Sequence, residues 1–186
     1  MSQGSVLYRF RFNLSDVDRG VYEALDFRVA MHPSESVPYL LARVLAYALN
    51  VLPGLEFSPG GLSDVDAPAI SLPDPRGGLS LCIEIGAPST KRLHKAAKAS
   101  KTVKVYTHRD PLSFLREVAA AGVHRAEEIE VFSFTPGFLD RLASILERDN
   151  RWAVVHVGGD LTVSVGDRSE AGEIKRHPVY PRARGV

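Results

Sequence analysis

Two acidic residues, Asp66 and Glu84, stand where short strands could bring them together. Asp66 comes just before a predicted strand over 68–72, and Glu84 lies inside a predicted strand over 79–85. Neighbouring carboxylates can hold a hard divalent cation such as Mg²⁺, which can activate water and stabilise charge on a scissile phosphate. The pair therefore predicts a metal site with Mg²⁺ as cofactor. The alternative is structural, with Glu84 facing solvent on an amphipathic strand and Asp66 serving as a turn former.

The elements that would position these acids follow a recognisable order. From Ser34 to Thr107, the apolar periodicity and the turn residues predict a helix, three strands, a helix and a strand. This order resembles the core of the PD-(D/E)xK nuclease superfamily, which includes restriction enzymes. In that core one acid begins the second strand and another lies in the third. The predicted fold class is α/β (α+β), with a restriction-endonuclease-like core and a mixed sheet flanked by helices.

Added β-hairpins are predicted at both ends of this core. Residues 6–12 alternate between apolar and polar side chains, and a strand over 21–31 would pair back on them. Near the C-terminus, strands over 152–157 and 161–165 flank a Gly-Gly-Asp turn. Both hairpins would extend the mixed sheet beyond the core.

The first core helix has two candidate starts. Ser34 is a natural N-cap that would put Glu35 in the first turn, whereas a start at Ser36 accounts better for Pro38. One domain is predicted over residues 1–178, followed by a flexible basic tail over 179–186.

A basic segment follows the acidic pair. Residues 86–109 contain seven of the chain's 23 Lys and Arg residues and none of its 22 Asp and Glu residues. Lys91, Lys95 and Lys98 recur at helical spacing, so they are expected to form one exposed stripe. A basic face on an otherwise acidic chain is typical of a polyanion-binding surface, which predicts nucleic acid as a partner. A merely solvated helix face is the alternative.

The nuclease motif lacks its third member. A lysine is expected two residues after Glu84, on the same side of the strand, but Gly86 stands there. The motif lysine orients water and balances developing negative charge. Arg92 and Lys95 share one face of the following helix, so either could replace it, or both could belong to the basic stripe alone.

Other site classes leave no trace in the sequence. No Gly-rich phosphate loop, dinucleotide fingerprint or Gly-x-Ser-x-Gly elbow occurs, and the six histidines lack ligand spacing. Cys82, the single cysteine, excludes an intramolecular disulfide and is predicted to be a core thiol. The N-terminal residues lack the apolar run of a signal peptide, and no apolar stretch approaches ~18 residues. A cytoplasmic protein without a membrane partner is predicted.

Three local motifs resemble those of one protein family more closely than the order of elements resembles the nuclease superfamily. They are His-Pro-Ser-Glu at 32–35, Leu-Leu-Ala-Arg-Val-Leu-Ala around Arg43, and Ile-Glu-Ile-Gly-Ala-Pro at 83–88 followed by Arg92 and Lys95. In this order they resemble the YaeQ family, over nearly the whole chain. The resemblance implies a bacterial cytosolic protein with the restriction-endonuclease-like fold and an activity that is not settled. It points to a pocket formed by Glu35, Arg43, Asp66, Glu84, Gly86, Arg92 and Lys95.

The resemblance adds two expectations. In the wider superfamily a glutamate of the first core helix often completes the metal site, so Glu35 is expected to assist Asp66 and Glu84. A loose association of the family with transcription makes the transcription machinery a second expected partner, by analogy alone.

Three hypotheses follow. The first is a metal-dependent phosphodiesterase acting on nucleic acid through Asp66 and Glu84, with Lys95 or Arg92 replacing the motif lysine. The second is a non-catalytic nucleic-acid-binding or transcription-associated module that keeps the nuclease fold. The third is a scaffold that binds a small molecule or a protein.

Overall fold

A computed structural model describes residues 4–180. Its strands are β1 (Val6–Asp16), β2 (Val21–Met31), β3 (Glu56–Phe57), β4 (Ile70–Pro73), β5 (Leu79–Ile85), β6 (Ser100–Thr107), β7 (Glu130–Phe134), β8 (Asp149–Val157), β9 (Asp160–Val165) and β10 (Arg168–His177). Its α-helices are α1 (Val37–Ala48), α2 (Thr90–Ala99), α3 (Leu112–Ala120) and α4 (Phe138–Ala143). The fold is thus of mixed α+β class.

All ten strands form one sheet, in the order β2-β1-β8-β9-β10-β7-β6-β5-β4-β3. β3, β4 and β5 form an antiparallel meander, and β6 and β7 continue it in parallel with β5. β10 joins the two halves, because its first part pairs with β9 and its last four residues pair with β7. One continuous sheet therefore carries both the core meander and the terminal hairpins.

The sheet curls around α1 until its two edges approach each other. Phe27 of β2 and Phe57 of β3 belong to the opposite edge strands, yet their ring centroids lie 5.7 Å apart. Tyr47 of α1 stacks on Phe57, with ring centroids 4.4 Å apart, and so contacts the edge strand β3 from the inner side of the sheet. Because α1 is enclosed on nearly all sides, its residues Leu40 to Ala46 are all buried, including Arg43. The sheet is mostly closed.

β5, which pairs antiparallel with β4 and parallel with β6, is buried on both faces from Leu81 to Ile85. Ile83 and Ile85 pack into the core around α1. Cys82 faces a second core, under α2 and α3, together with Leu93 and Phe114. The sequence predicts Leu79, Leu81, Ile83 and Ile85 on one face and Glu84 on the other; this holds from Leu81 to Ile85, whereas Leu79 packs against the second core beyond a register shift in the pairing with β4. The side that carries Glu84 is covered by protein and not by solvent.

Several predicted elements are confirmed. β2 has the predicted bounds and pairs with β1 over its full length, and the order from α1 to β6 is the predicted one. The start of the first core helix at Ser34 is wrong: Ser36 is the N-cap, and its Oγ accepts from the Tyr39 backbone N–H at 3.3 Å. Glu35 therefore precedes the helix, which frees its side chain for a different contact.

β10 was not predicted, because its sequence is polar and lacks an apolar alternation. It is held by main-chain pairing on both sides and by a close approach at Gly172, where a Cβ atom would lie 2.5 Å from Phe138. The tail predicted over 179–186 begins with Val179, which is buried in the second core. Residues 181–186 lie outside the described residues.

Within the described residues, no helix has both the length and the apolar character needed to cross a membrane.

Candidate functional site

Glu84 and Arg92 form the centre of the site. Glu84 lies near the end of β5 with only 6% of its side chain exposed, and its Oε1 is 2.9 Å from Arg92 Nε. Burial raises the pKa of Glu84 because it penalises the carboxylate, and Arg92 offsets only part of this effect. A buried charge of this kind persists only with a partner, and the partner here is the α2 guanidinium.

Arg92 also fixes the loop before β4. Its Nη1 donates to the Val65 carbonyl and its Nη2 to the Ala67 carbonyl, both at 2.5 Å. Ser89, the N-cap of α2, accepts from the Arg92 backbone N–H at 3.2 Å. The guanidinium thus lies among one carboxylate and two carbonyl oxygens, which is a ligand type that hard cations also prefer.

Asp66 lies on the outer side of the same loop. Its side chain is 80% exposed and binds Lys95 Nζ at 2.9 Å, a contact that lowers the pKa of Asp66. The loop is held by Asp64, whose Oδ1 accepts from the backbone N–H groups of Asp66 and Ala67, both at 3.1 Å. Asp66 and Glu84 do border one cavity of about 320 Å³ beneath α2. The structure therefore brings the two acids to one cleft, each with its own cation.

The described residues, as arranged, do not fit a Mg²⁺ site. Within residues 4–180, no group of three or more His, Cys, Asp or Glu residues could hold a metal ion. Arg92 already neutralises Glu84, and Lys95 pairs with Asp66. Mg²⁺ as a cofactor stays a prediction.

Glu35 and Arg43 form a separate buried pair. Arg43 Nη2 lies 2.9 Å from Glu35 Oε1, and the side chains are only 4% and 1% exposed respectively. Arg43 also donates to the Ala30 carbonyl at 2.8 Å, and Glu35 accepts from the His32 backbone N–H at 3.0 Å. The pair ties α1 to the end of β2, which is a structural role different from the metal-assisting role expected for Glu35.

Gly86 explains the missing lysine in conformational terms. Its φ of 84° lies in the left-handed region, and its backbone N–H donates to the Tyr106 carbonyl at 2.8 Å. An L-residue such as lysine pays roughly 1–2 kcal/mol to adopt this conformation. The backbone after β5 therefore selects glycine at this position.

A second cavity, of about 410 Å³, opens on the other side of Glu84 and Arg92. Tyr39, His108 and Arg109 line it, and sequence reasoning singled out none of them. Two of them are brought to the site by tertiary pairing: β5 and β6 are parallel and paired, so the residues that follow both strands meet at one edge of the sheet. His108 and Arg109 follow β6 just as Gly86 follows β5.

The outward face of α2 is basic. Lys91, Lys95 and Lys98 are all exposed, whereas Leu93 and Ala97 of the same helix are buried. The helix therefore has the amphipathic arrangement that the spacing predicted. On the core side, Cys82 is buried and its thiol pKa is raised to about 12 by desolvation, which fits an unreactive core thiol.

Comparisons with known proteins agree with one another. The family model described as YaeQ protein matches residues 1–173. Two relatives, both named Uncharacterized protein YaeQ, from Escherichia coli (strain K12) and Salmonella typhi, are 30% identical over 108 residues. That match spans 58% of this chain and 59% of each relative.

Two solved structures resemble the whole chain. The YaeQ protein from Xanthomonas axonopodis pv. citri has a TM-score of 0.85 at 26% identity, with 94% of this chain and 99% of that chain covered. The YaeQ protein from Pseudomonas syringae has a TM-score of 0.83 at 27% identity, with 92% and 95% covered. The architecture described above is shared with both.

Proposed function

The chain belongs to the YaeQ protein family, and from the site that this family's fold builds here we propose that it is a nucleic-acid-binding module on a restriction-endonuclease-like core, without catalytic activity. The core assignment is supported by topology. A helix, an antiparallel three-stranded meander, a second helix and a strand parallel to the third follow one another from α1 to β6. This order resembles the core of the PD-(D/E)xK superfamily, and it supports Asp66 and Glu84 as counterparts of its two acids.

The observation that carries the proposal is that the two faces of α2 have different contacts. Its Arg92 reaches inward and neutralises Glu84, while its Lys91, Lys95 and Lys98 point outward. The cation that a nuclease would need at the acidic centre is replaced by a side chain of the protein itself. What remains accessible is a basic helix on an otherwise acidic chain, which suits contacts with a phosphate backbone.

Lys95 fits this role despite its contact with Asp66. Both side chains are largely exposed, at 67% and 80%, and an exposed ion pair is readily exchanged for another anion. A phosphate group can therefore take the place of the Asp66 carboxylate.

Nucleic-acid binding is expected to weaken steeply with salt and to depend on α2. Replacing Lys98 with Glu should lower the affinity for a labelled duplex and reduce the slope of log affinity against log salt by about 1, because one phosphate contact is lost. Fluorescence anisotropy at several salt concentrations measures both quantities. Lys175→Glu is the matched control, since Lys175 is also exposed but lies on β10. Equal weakening by both variants, or no binding at low salt, would contradict the proposal.

The second candidate function is metal-dependent cleavage of nucleic acid. It is favoured by one observation: Asp66 and Glu84 border the same cavity together with Arg92 and Lys95. Assays with Mg²⁺ or Mn²⁺ on single- and double-stranded DNA and RNA separate the two candidates. Cleavage by the wild type that disappears in Glu84→Gln would establish the second candidate, and we expect none above background. An association with the transcription machinery stays a prediction.

A further inference from the structure

We propose that the cavity of about 410 Å³ between α1 and the ends of β5 and β6 binds one unpaired nucleotide, as a planar base with its phosphate. The proposal deepens the proposed function where the nucleotide is part of a strand. A free mononucleotide offers the same chemistry, so the two sources must be distinguished by experiment.

The cavity has the size and composition of a small-molecule site. Its volume lies in the range of ligand pockets, roughly 300–1,000 Å³. Leu62, Val65 and Pro88 supply an apolar wall, and Tyr39 and His108 supply two aromatic rings in an edge-to-face pair with centroids 5.9 Å apart. Unpaired bases are commonly bound by aromatic rings of this kind.

Gly86 lies against both rings and leaves the space beside them open. A Cβ atom on Gly86 would lie 3.6 Å from the Tyr39 ring and 3.7 Å from the His108 ring, in ordinary contact with both. Any larger side chain there would extend into this space. Gly86, which stands where the nuclease motif has its lysine, thus also shapes the cavity.

Polar groups suited to a nucleotide are placed around this space. His108 Nδ1 is buried without a hydrogen-bond partner among the described residues. Burial, followed by the nearby Arg109, lowers the pKa of His108, so the ring is neutral at pH 7. A rotation of the ring is needed to expose this nitrogen to a base edge. Arg109 is exposed at the rim of the cavity. Within residues 4–180, the arginines that form ion pairs at the site are Arg43 and Arg92, and not Arg109. Its guanidinium can therefore contact a phosphate.

The cavity lies next to the basic helix. Arg92 and Glu84 form the partition between this cavity and the cavity that Lys91 and Lys95 border. A strand bound along α2 would therefore lie one side chain, Arg92, away from the cavity. Stacked and paired bases of an intact duplex cannot enter, whereas a single-stranded or terminal nucleotide can.

The test compares single-stranded and blunt duplex DNA of equal length, and free AMP and UMP, for binding to the full chain. Wild type should prefer the single strand by about fivefold or more, which is the lower end of the effect of stacking one base. Ala87→Trp is designed to plug the mouth, because Ala87 lines the cavity and is exposed, so the fold should tolerate the change. Arg109→Ala removes the rim charge. Both should abolish the preference, and Ala87→Trp should leave duplex affinity unchanged.

Each outcome has a definite meaning. Equal binding of single strand and duplex, or a preference that survives Ala87→Trp, would overturn the cavity assignment while leaving the proposed function intact. Binding of AMP or UMP that Ala87→Trp blocks, without any polymer binding, would identify a free nucleotide as the occupant and overturn the proposed function instead. No binding of any probe would overturn both.

Discussion

Replacing Arg43 with alanine is expected to lower the free energy of unfolding by about 3–5 kcal/mol, the usual cost of stranding one member of a buried ion pair. The Glu35 carboxylate would remain in the interior with only 1% of its side chain exposed. The Ala30 carbonyl would also lose its donor, and this contribution of about 1 kcal/mol is included in the expected loss. Urea unfolding at pH 7 measures the change, with the fluorescence of Trp152, the only tryptophan, as the probe.

A second substitution should reverse much of this loss. In the Arg43→Met/Glu35→Gln variant the pair leaves no charge in the interior, and the amide oxygen introduced at position 35 can still accept from the His32 N–H. Because replacing a whole buried pair costs far less than breaking it, the double variant should be more stable than Arg43→Met alone. A double variant that loses the sum of the two single effects would show that the residues act independently.

Replacing Arg92 with alanine is the second large effect, at about 2–3 kcal/mol near pH 7. This expected loss of stability is smaller than the usual 3–5 kcal/mol for a buried ion pair, because 30% of the Arg92 side chain is exposed and water screens its charge. The loss comprises the partner of the buried Glu84 carboxylate and the two hydrogen bonds that fix the loop before β4. Lys95→Ala is the matched control, since Lys95 lies on the same helix but its pair with Asp66 is exposed, and it should unfold like the wild type.

The loss in Arg92→Ala should depend on pH in a direction that identifies its cause. Burial raises the pKa of folded Glu84, and without Arg92 that pKa must rise further because the stabilising cation is gone. Between the unfolded pKa of about 4.3 and the raised folded pKa, the folded state binds more protons than the unfolded state, so stability increases as pH falls. The destabilisation should therefore be smaller at pH 5 than at pH 8. A loss that is independent of pH would attribute the effect to the loop contacts alone.

The sequence was sufficient wherever a local rule determines the structure. Strict alternation and turn residues defined the β1–β2 hairpin, and the spacing of Lys91, Lys95 and Lys98 indicated the exposed face of α2. The order from α1 to β6 followed from the same signals and suggested the positions of Asp66 and Glu84.

What the sequence did not reveal depends on tertiary contacts. Arg92 was expected to balance charge on a phosphate, but only the packing of α2 against β5 shows that it meets the Glu84 carboxylate first. Glu35 could not be assigned to Arg43 because the pairing depends on the helix starting at Ser36. His108 and Arg109 become visible only when the parallel pairing of β5 and β6 is known.

The resident cation of the acidic centre can be identified by titrating the protein with Mn²⁺ and following free Mn²⁺ by electron paramagnetic resonance, for wild type and Glu84→Gln. If the Arg92 guanidinium is that cation, the two titrations should coincide, because Glu84 has no charge left to offer a metal ion. A stoichiometric Mn²⁺ site that is present in the wild type and absent from Glu84→Gln would contradict this, and would place a metal ion where the structure places Arg92.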